Sequence, residues 1–269
     1  MDAFPRPSVM GVVNVTPDSF SDGGMFLRPP AAIAEARALH DAGAAIIDVG
    51  GESTRPGSEG VSAEEELTRL EPVLTALRDL PLSVDTSKAV VAQRAVELGA
   101  IMVNDVTALR GDPELAGVVA DSGAYLCLMH MRGEPRTMQD DPRYDDVVSE
   151  VAAFLEERLS FAVAVGVAEE LVCLDPGIGF GKTTEHNLEL LARLGEIAAL
   201  GRPVLVGVSR KRFLGRILDD EETRTGPLAA GVAVNVLAYE RGASIFRVHD
   251  VRENVEALAA ARAVEAVAG

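Results

Sequence analysis

Asp85, Asn104 and Asp175 each close a short apolar run and together offer two carboxylates and one amide. A carboxylate can accept two parallel N–H bonds from a guanidine-like edge, and an amide both donates and accepts. The set therefore suits a flat nitrogen heterocycle. Arg55, Arg247, His249 and Asn14 suit a phosphate or pyrophosphate, with a hard divalent ion held partly by the ligand itself. Asp48 and Asp85 form a further carboxylate pair. Neither has an evident partner to shift its proton affinity, so orienting and binding rank above acid–base catalysis. Lys211 stays open between a Schiff-base nucleophile and a contact to an anion or ring carbonyl beside Arg210 and Arg212. Met129 and Phe180 suit either the faces of a bound ring or the core.

The elements that must carry these residues share one grammar. In the stretch Val172 to Lys182 an apolar run beginning at Leu171 stops at Asp175, and Pro176-Gly177 ends any regular structure. Gly181-Lys182-Thr183 has the ending of a phosphate loop, but the first glycine of that motif would fall on Pro176, so a nucleotide loop is rejected. Elsewhere Val12-Val13 leads to Asn14, Ile46-Ile47 to Asp48, Leu82 to Val84 to Asp85, and Met102-Val103 to Asn104-Asp105. Leu126 to Met129 leads to His130, Val204 to Val208 to Ser209-Arg210-Lys211, and Ile245-Phe246 to Arg247-Val248-His249. Eight apolar runs with polar ends, each followed by a loop and a helical pattern, predict an α/β fold. The expectation is one (β/α)8 TIM barrel over residues 1–269, with its active site at the C-terminal strand ends.

Between the strands, helices are expected over 30–42, closing at Gly43, and from Ser62, whose Ser-Ala-Glu-Glu pattern is a capping box. Leu67, Leu70, Val73, Leu74 and Leu77 form the core stripe of the second helix, with a kink at Pro72. Ser87 is read as the cap of a helix ending at Gly99, and Asp112-Pro113 as the start of a short one. Val147, Val151, Phe154, Leu155 and Leu159 mark a helix that stops at Gly166. Later helices are expected over 185–194, 227–241 and 254–267. Adjacent Gly50 and Gly51 are read as freeing the backbone to approach a ligand. The loop Val15 to Gly24, which holds the aromatic Phe20, is long enough to suspect function.

A net charge of −17 argues against a nucleic-acid or anionic-membrane surface, and leaves a small anion as substrate only where cations are concentrated. Arg55, Arg210, Lys211, Arg247 and His249 provide that concentration at the predicted rim. Cys127 and Cys173 fall inside strands and are read as buried and reduced. No histidine lies in a metal-ligand spacing. With no basic-then-apolar leader and no run of membrane length, a cytoplasmic, soluble protein is expected.

Asn14 to Gly24, Asp48 to Gly57, Asn104-Asp-Val106, Asp175 to Lys182, Ser209-Arg-Lys211 and Arg247-Val-His249 together resemble dihydropteroate synthase, the sulfonamide target of folate biosynthesis. The resemblance covers essentially the whole chain in strand order. It implies a transferase joining 6-hydroxymethyl-7,8-dihydropterin pyrophosphate to p-aminobenzoate, with Mg²⁺ as cofactor and a homodimeric assembly. By resemblance Asp85, Asn104, Asp175 and Lys211 hold the pterin with Arg247 over its ring, and Asn14 ligates Mg²⁺. Arg55, Arg247 and His249 take the pyrophosphate, while Phe20, Thr54, Arg55, Pro56 and Ser209 line the p-aminobenzoate pocket. Arg132 stands where the family often has Gln, and Ile178 where another apolar residue is common. Rival readings are a methyltetrahydrofolate–corrinoid methyltransferase barrel, a non-catalytic pterin-binding module, and an aldolase through Lys211. Arg55, His249 and the loop Thr16 to Gly24 count against the first.

Overall fold

Each apolar run is too short for a helix and is punctuated by turn residues, so it pairs sideways with its neighbours in chain order. A computed structural model describes residues 1, 4–16, 29–53, 58, 60–220 and 225–268. Its strands are β1 (Ser8–Asn14), β2 (Ile46–Gly50), β3 (Leu82–Asp85), β4 (Met102–Asp105), β5 (Tyr125–Met129), β6 (Val172–Asp175), β7 (Val204–Val206) and β8 (Ala243–Val248). All neighbouring strands are parallel, and β1 pairs with both β2 and β8, which closes the barrel. The expected (β/α)8 barrel is thus observed. β7 stops at Val206 rather than Val208, and meets β6 only at Leu174 and Val204.

Strand parity sorts side chains into two sets. Met10, Ile46, Met102, Cys127, Cys173, Leu205 and Ile245 fill the lower lumen, with Phe4 as a plug. Two residues further along several of these strands, on the same side of the pleat, come Asp48, Asn104, Met129, Asp175 and Arg247. The alternate residues, among them Val13, Ile47, Val84, Val103, Leu128, Leu174, Val206 and Val248, pack outward into the main core. Cys127 and Cys173 face each other in register as free, buried thiols.

The helices α1 (Pro29–Asp41), α2 (Ala63–Ala76), α3 (Ala89–Glu97), α4 (Leu115–Ser122), α5 (Val147–Val165), α6 (Thr184–Ala192), α7 (Leu194–Ala198), α8 (Phe213–Arg216), α9 (Leu228–Glu240) and α10 (Val251–Ala268) surround the barrel. Ser62 caps α2 by accepting from Glu65 N–H, and α2 runs through Pro72 unbroken. Ser87 does not cap α3: Lys88 occupies that position without a side-chain bond, and Asp112 Oδ2 takes the Ala89 N–H at 2.9 Å instead. Asp112 Oδ1 also takes the Glu114 N–H at 3.0 Å, at the residue just before α4. One carboxylate thus serves two helix starts. The short α7 and α8 were not expected, because neither is long enough to show a period. No helix among the described residues is long and apolar enough to cross a membrane.

Candidate functional site

Parity and strand tilt bring one charged cluster to the top of the lumen. Asp48 is fully buried on β2, and its Oδ2 accepts from Arg247 Nε on β8 at 2.6 Å and from Asn104 Nδ2 on β4 at 3.1 Å. Arg247 Nη2 donates to Asp85 Oδ2 at 2.8 Å. The guanidinium therefore bridges two carboxylates from adjacent strands. Burial works against its charge, but Asp48 and Asp85 outweigh that and hold Arg247 protonated. Burial pushes Asp85 up to about 7; Arg247 opposes the shift, while the charges of Asp48, Glu66 and Asp105 add to it. The sequence does not reveal that Arg247 crosses the lumen to pair with Asp85; the rise itself comes from burial, against that partner. Because Asn104 donates through Nδ2, its carbonyl oxygen is left to accept from a ligand.

The other half of the rim is built on β5, β6 and the loop after β7. Asp175 Oδ1 accepts the Gly177 N–H at 2.6 Å. Burial raises the Asp175 carboxyl, with Lys211 as the main opposing charge. Gly177 has φ +64°, and a Cβ there would lie 1.9 Å from the His130 carbonyl oxygen, so only glycine permits this turn. Lys211 Nζ donates to the Ile178 carbonyl and stands 4.6 Å from the centre of the Phe180 ring. Burial lowers Lys211 to about 8, with Asp175 opposing and Arg247 adding to the fall. Phe180 packs on Val106, Met129, Met131 and Met138. It is half-buried where Met129 is buried, so Phe180 has a ring face to offer and Met129 is mainly core.

Lys182 was not foreseen as more than the end of a rejected motif. It is buried, and its Nζ lies 3.0 Å from the carbonyls of Gly177 and Phe180 and 2.9 Å from His130 Nδ1. The amine thus meets three acceptors, and the loop after Asp175 is tied to β5; burial pushes Lys182 well below its ordinary value, with Asp175 opposing. Burial pushes His130 down to about 2, with Lys182 adding to the effect, so the imidazole remains a neutral acceptor.

The ends of β7 and β8 are cross-linked. Ser209 Oγ lies 3.1 Å from His249 Nδ1 and accepts the His249 N–H at 3.2 Å. Arg210, counted among the rim cations, turns outward at φ 60° and pairs with Asp250 at 2.8 Å. Across the rim, Asn14 pairs in register with Gly50 and Gly50 with Asp85. From the position a Gly50 Cβ would take, Asp85 Oδ2 is 3.7 Å and Asn14 Oδ1 3.8 Å away. A Cβ on Gly50 would thus point between Asp85 and Asn14 at ordinary contact distances, whereas Gly51 packs on α2. Two hard oxygens facing one space fit a Mg²⁺ ion that brings its other ligands with it. Among the described residues no group of three His, Cys, Asp or Glu could hold a metal alone. Phe20, Thr54, Arg55 and Pro56 lie outside the described residues.

The sequence matches the family model described as "Pterin binding enzyme" over residues 10–249. It is 47% identical over 267 residues to dihydropteroate synthase of Escherichia coli (strain K12), covering 97% of this chain and 92% of that one. The Xanthomonas albilineans dihydropteroate synthase solved with 4-aminobenzoic acid superposes with TM-score 0.89 and 49% identity, over 97% of this chain and 94% of that one. The same organism's dihydropteroate synthase in complex with 7,8-dihydropteroate gives TM-score 0.85 and 46% identity, over 97% and 94%.

Proposed function

This chain belongs to the dihydropteroate synthase family of transferases, and from that premise we propose that it joins 6-hydroxymethyl-7,8-dihydropterin pyrophosphate to p-aminobenzoate, releasing pyrophosphate. The observation that carries this reading is the lumen-top array in which Asp85, Asn104 and Asp175 present acceptors while Arg247 and Lys211 supply charge. In it, Asp85 and Asp175 accept the pterin's ring N–H groups, and the Asn104 carbonyl, aimed by its amide bond to Asp48, accepts another. Phe180 covers one ring face, and Lys211 donates to the ring. Arg247 exchanges part of its contact with Asp85 for the ring and the leaving diphosphate. His249, with Arg55, takes the diphosphate. Phe20, Thr54, Arg55, Pro56 and Ser209 line the arylamine pocket.

The pterin methylene carbon is benzylic-like, so loss of pyrophosphate leaves a cation delocalised into the ring; the aniline nitrogen then closes the new C–N bond, and the resulting anilinium gives its proton to water. Substitution is SN1-like. Arg55, Arg247 and His249 contribute by stabilising the departing charge, Lys211 by holding the ring, and the pocket by positioning the amine. Asn14 would hold Mg²⁺, which would supply further charge neutralisation beside the diphosphate.

A cytoplasmic homodimer belongs to the same reading. The deciding experiment is a coupled assay of pyrophosphate release. Turnover should require both p-aminobenzoate and Mg²⁺; release that ignores the arylamine would refute the reading.

A further inference from the structure

Four charged side chains outside the site, Glu52, Glu66, Arg69 and Lys88, cluster where the chain leaves β2. The core stripe of α2 carries more than the expected leucines: Glu66 is fully buried and Arg69 is 6% exposed. Arg69 Nη1 donates to the Gly51 carbonyl at 2.7 Å. Lys88, three residues beyond Asp85, reaches Glu52 Oε2 at 2.5 Å and Glu66 Oε2 at 2.6 Å. Glu52 has a second task, since its Oε1 accepts the Val61 N–H at 3.2 Å. Within the span, Ser58 Oγ donates to the Ser53 carbonyl at 2.5 Å.

These contacts form a collar. Glu52 joins the two feet of the loop, residues 52 and 61, to each other, and Lys88 joins that collar to α2 and to the start of α3. Gly51 allows the outgoing foot to rest on α2, since a Cβ there would come within 3.0 Å of Glu66 Cγ and Leu70 Cγ. Lys88 is 23% exposed, Glu52 20% and Glu66 0%. The cluster is therefore mostly shielded from water, and removing its cation strands a buried carboxylate. Burial disfavours charge on Lys88, but its bonds to Glu52 and Glu66 outweigh that and keep it an ammonium.

We propose that Lys88 is a positioning residue for the arylamine half of the reaction, acting through Glu52 to fix where the loop between residues 52 and 61 leaves and rejoins the barrel. The inference rests on the function proposed above, in which residues 54–56 of that loop line the p-aminobenzoate pocket. Its structural content is that a single ammonium ties Glu52, and through it the Val61 N–H, to the segment directly after Asp85. Neither Lys88 nor Glu52 contacts the reacting atoms. Loosening the collar leaves the pterin ligands on their strands and releases only the loop, whose ordering cost then falls on arylamine binding.

The test uses the full-length chain and three variants: Lys88→Met, Lys88→Arg and Glu52→Gln. Lys88→Met should raise KM for p-aminobenzoate at least about tenfold. The Kd of pterin pyrophosphate, measured by calorimetry without arylamine, should stay within about twofold. Lys88→Arg, whose fork reaches both carboxylates, should recover most of the loss. Glu52→Gln keeps the buried Lys88–Glu66 pair, so it tests the same link where Lys88→Met does not fold. An unchanged arylamine KM in a folded Lys88→Met or in Glu52→Gln would overturn the proposal, as would equal weakening of pterin binding. Wild-type protein with no arylamine-dependent pyrophosphate release would instead sink the functional reading, and this inference with it.

Discussion

Replacing Asp48 by Asn changes one charge at the centre of the site and almost no volume. The asparagine oxygen can still accept from Arg247 Nε and Asn104 Nδ2, now 2.6 and 3.1 Å from Asp48 Oδ2. What disappears is the carboxylate charge: the Asn104 bond becomes neutral, and the Arg247 bond keeps only the donor's charge. A hydrogen bond to a charged group contributes about 1.5–3 kcal/mol and a neutral one about 1. Arg247 keeps Asp85 at 2.8 Å and is 23% exposed, so the loss should fall well short of a fully broken buried pair. We expect about 2 kcal/mol. For a chain of this size that corresponds to a fall in Tm of roughly 4–8 °C, readable by calorimetry. The sharper signature is in binding. Asp85 sits near 7 because burial raises it and Asp48 adds its own negative charge, against Arg247. Pterin pyrophosphate needs Asp85 ionised to accept its N–H groups, so wild-type affinity should weaken as pH falls through about 7. Without the Asp48 charge Asp85 ionises more readily, and the acid limb should move to lower pH even though the variant is less stable. A limb that stays in place or moves upward, in titrations of affinity against pH, would refute the electrostatic account of this cluster.

Lys211 is held near 8 by burial, with Asp175 opposing, so if the ammonium is the working form kcat/KM should decline as pH rises through about 8. Lys211→Ala and Arg247→Ala should each lose at least about 10²-fold in turnover; near-normal rates in either would remove that residue from the mechanism. Gly177→Ala places a Cβ 1.9 Å from the His130 carbonyl at φ +64° and should destabilise the chain by about 3 kcal/mol or more, which an unchanged denaturant midpoint would contradict. Asp112→Ala removes acceptors for the Ala89 and Glu114 N–H groups and should cost about 1–2 kcal/mol in chemical denaturation, with turnover within about twofold of wild type.

The barrel was legible because parallel strands buried on both faces must read as short apolar runs, and the residue that ends each run sits at the rim. The strand ends at Asp85 and Met129 were read correctly for that reason. The same uniform burial hides parity. Asn104 and Asp105 end one strand side by side, yet Asn104 faces the lumen and bonds Asp48. Asp105 instead holds the Thr107 and Leu109 N–H groups at 2.8 and 2.5 Å, at a turn braced from α5 by Arg158. No alternation in the run distinguishes the two, because both faces of the strand are apolar. Helix caps were legible only where the partner is local: Ser62 caps Glu65 N–H as expected, whereas α3 is capped by Asp112 from the far side of β4.

Lys182 shows the limit most clearly. A lysine after a run of glycines reads as a mobile surface cation, and nothing in its neighbours assigns it a buried place. Yet Gly177, Gly179 and Gly181 all take positive φ, and this curled backbone turns the carbonyls of Gly177 and Phe180 inward beside His130. Inward carbonyls without donors would be costly in a dry interior, so a short polar loop of this shape needs a cation or a cluster of N–H groups at its centre. Lys182, one residue past the last glycine, reaches that centre with its amine. The loop's glycines and its lysine are therefore one device: the first create the concentration of carbonyls, and the second makes it stable. Together they set the Ile178 carbonyl and the Phe180 ring against which Lys211 is held.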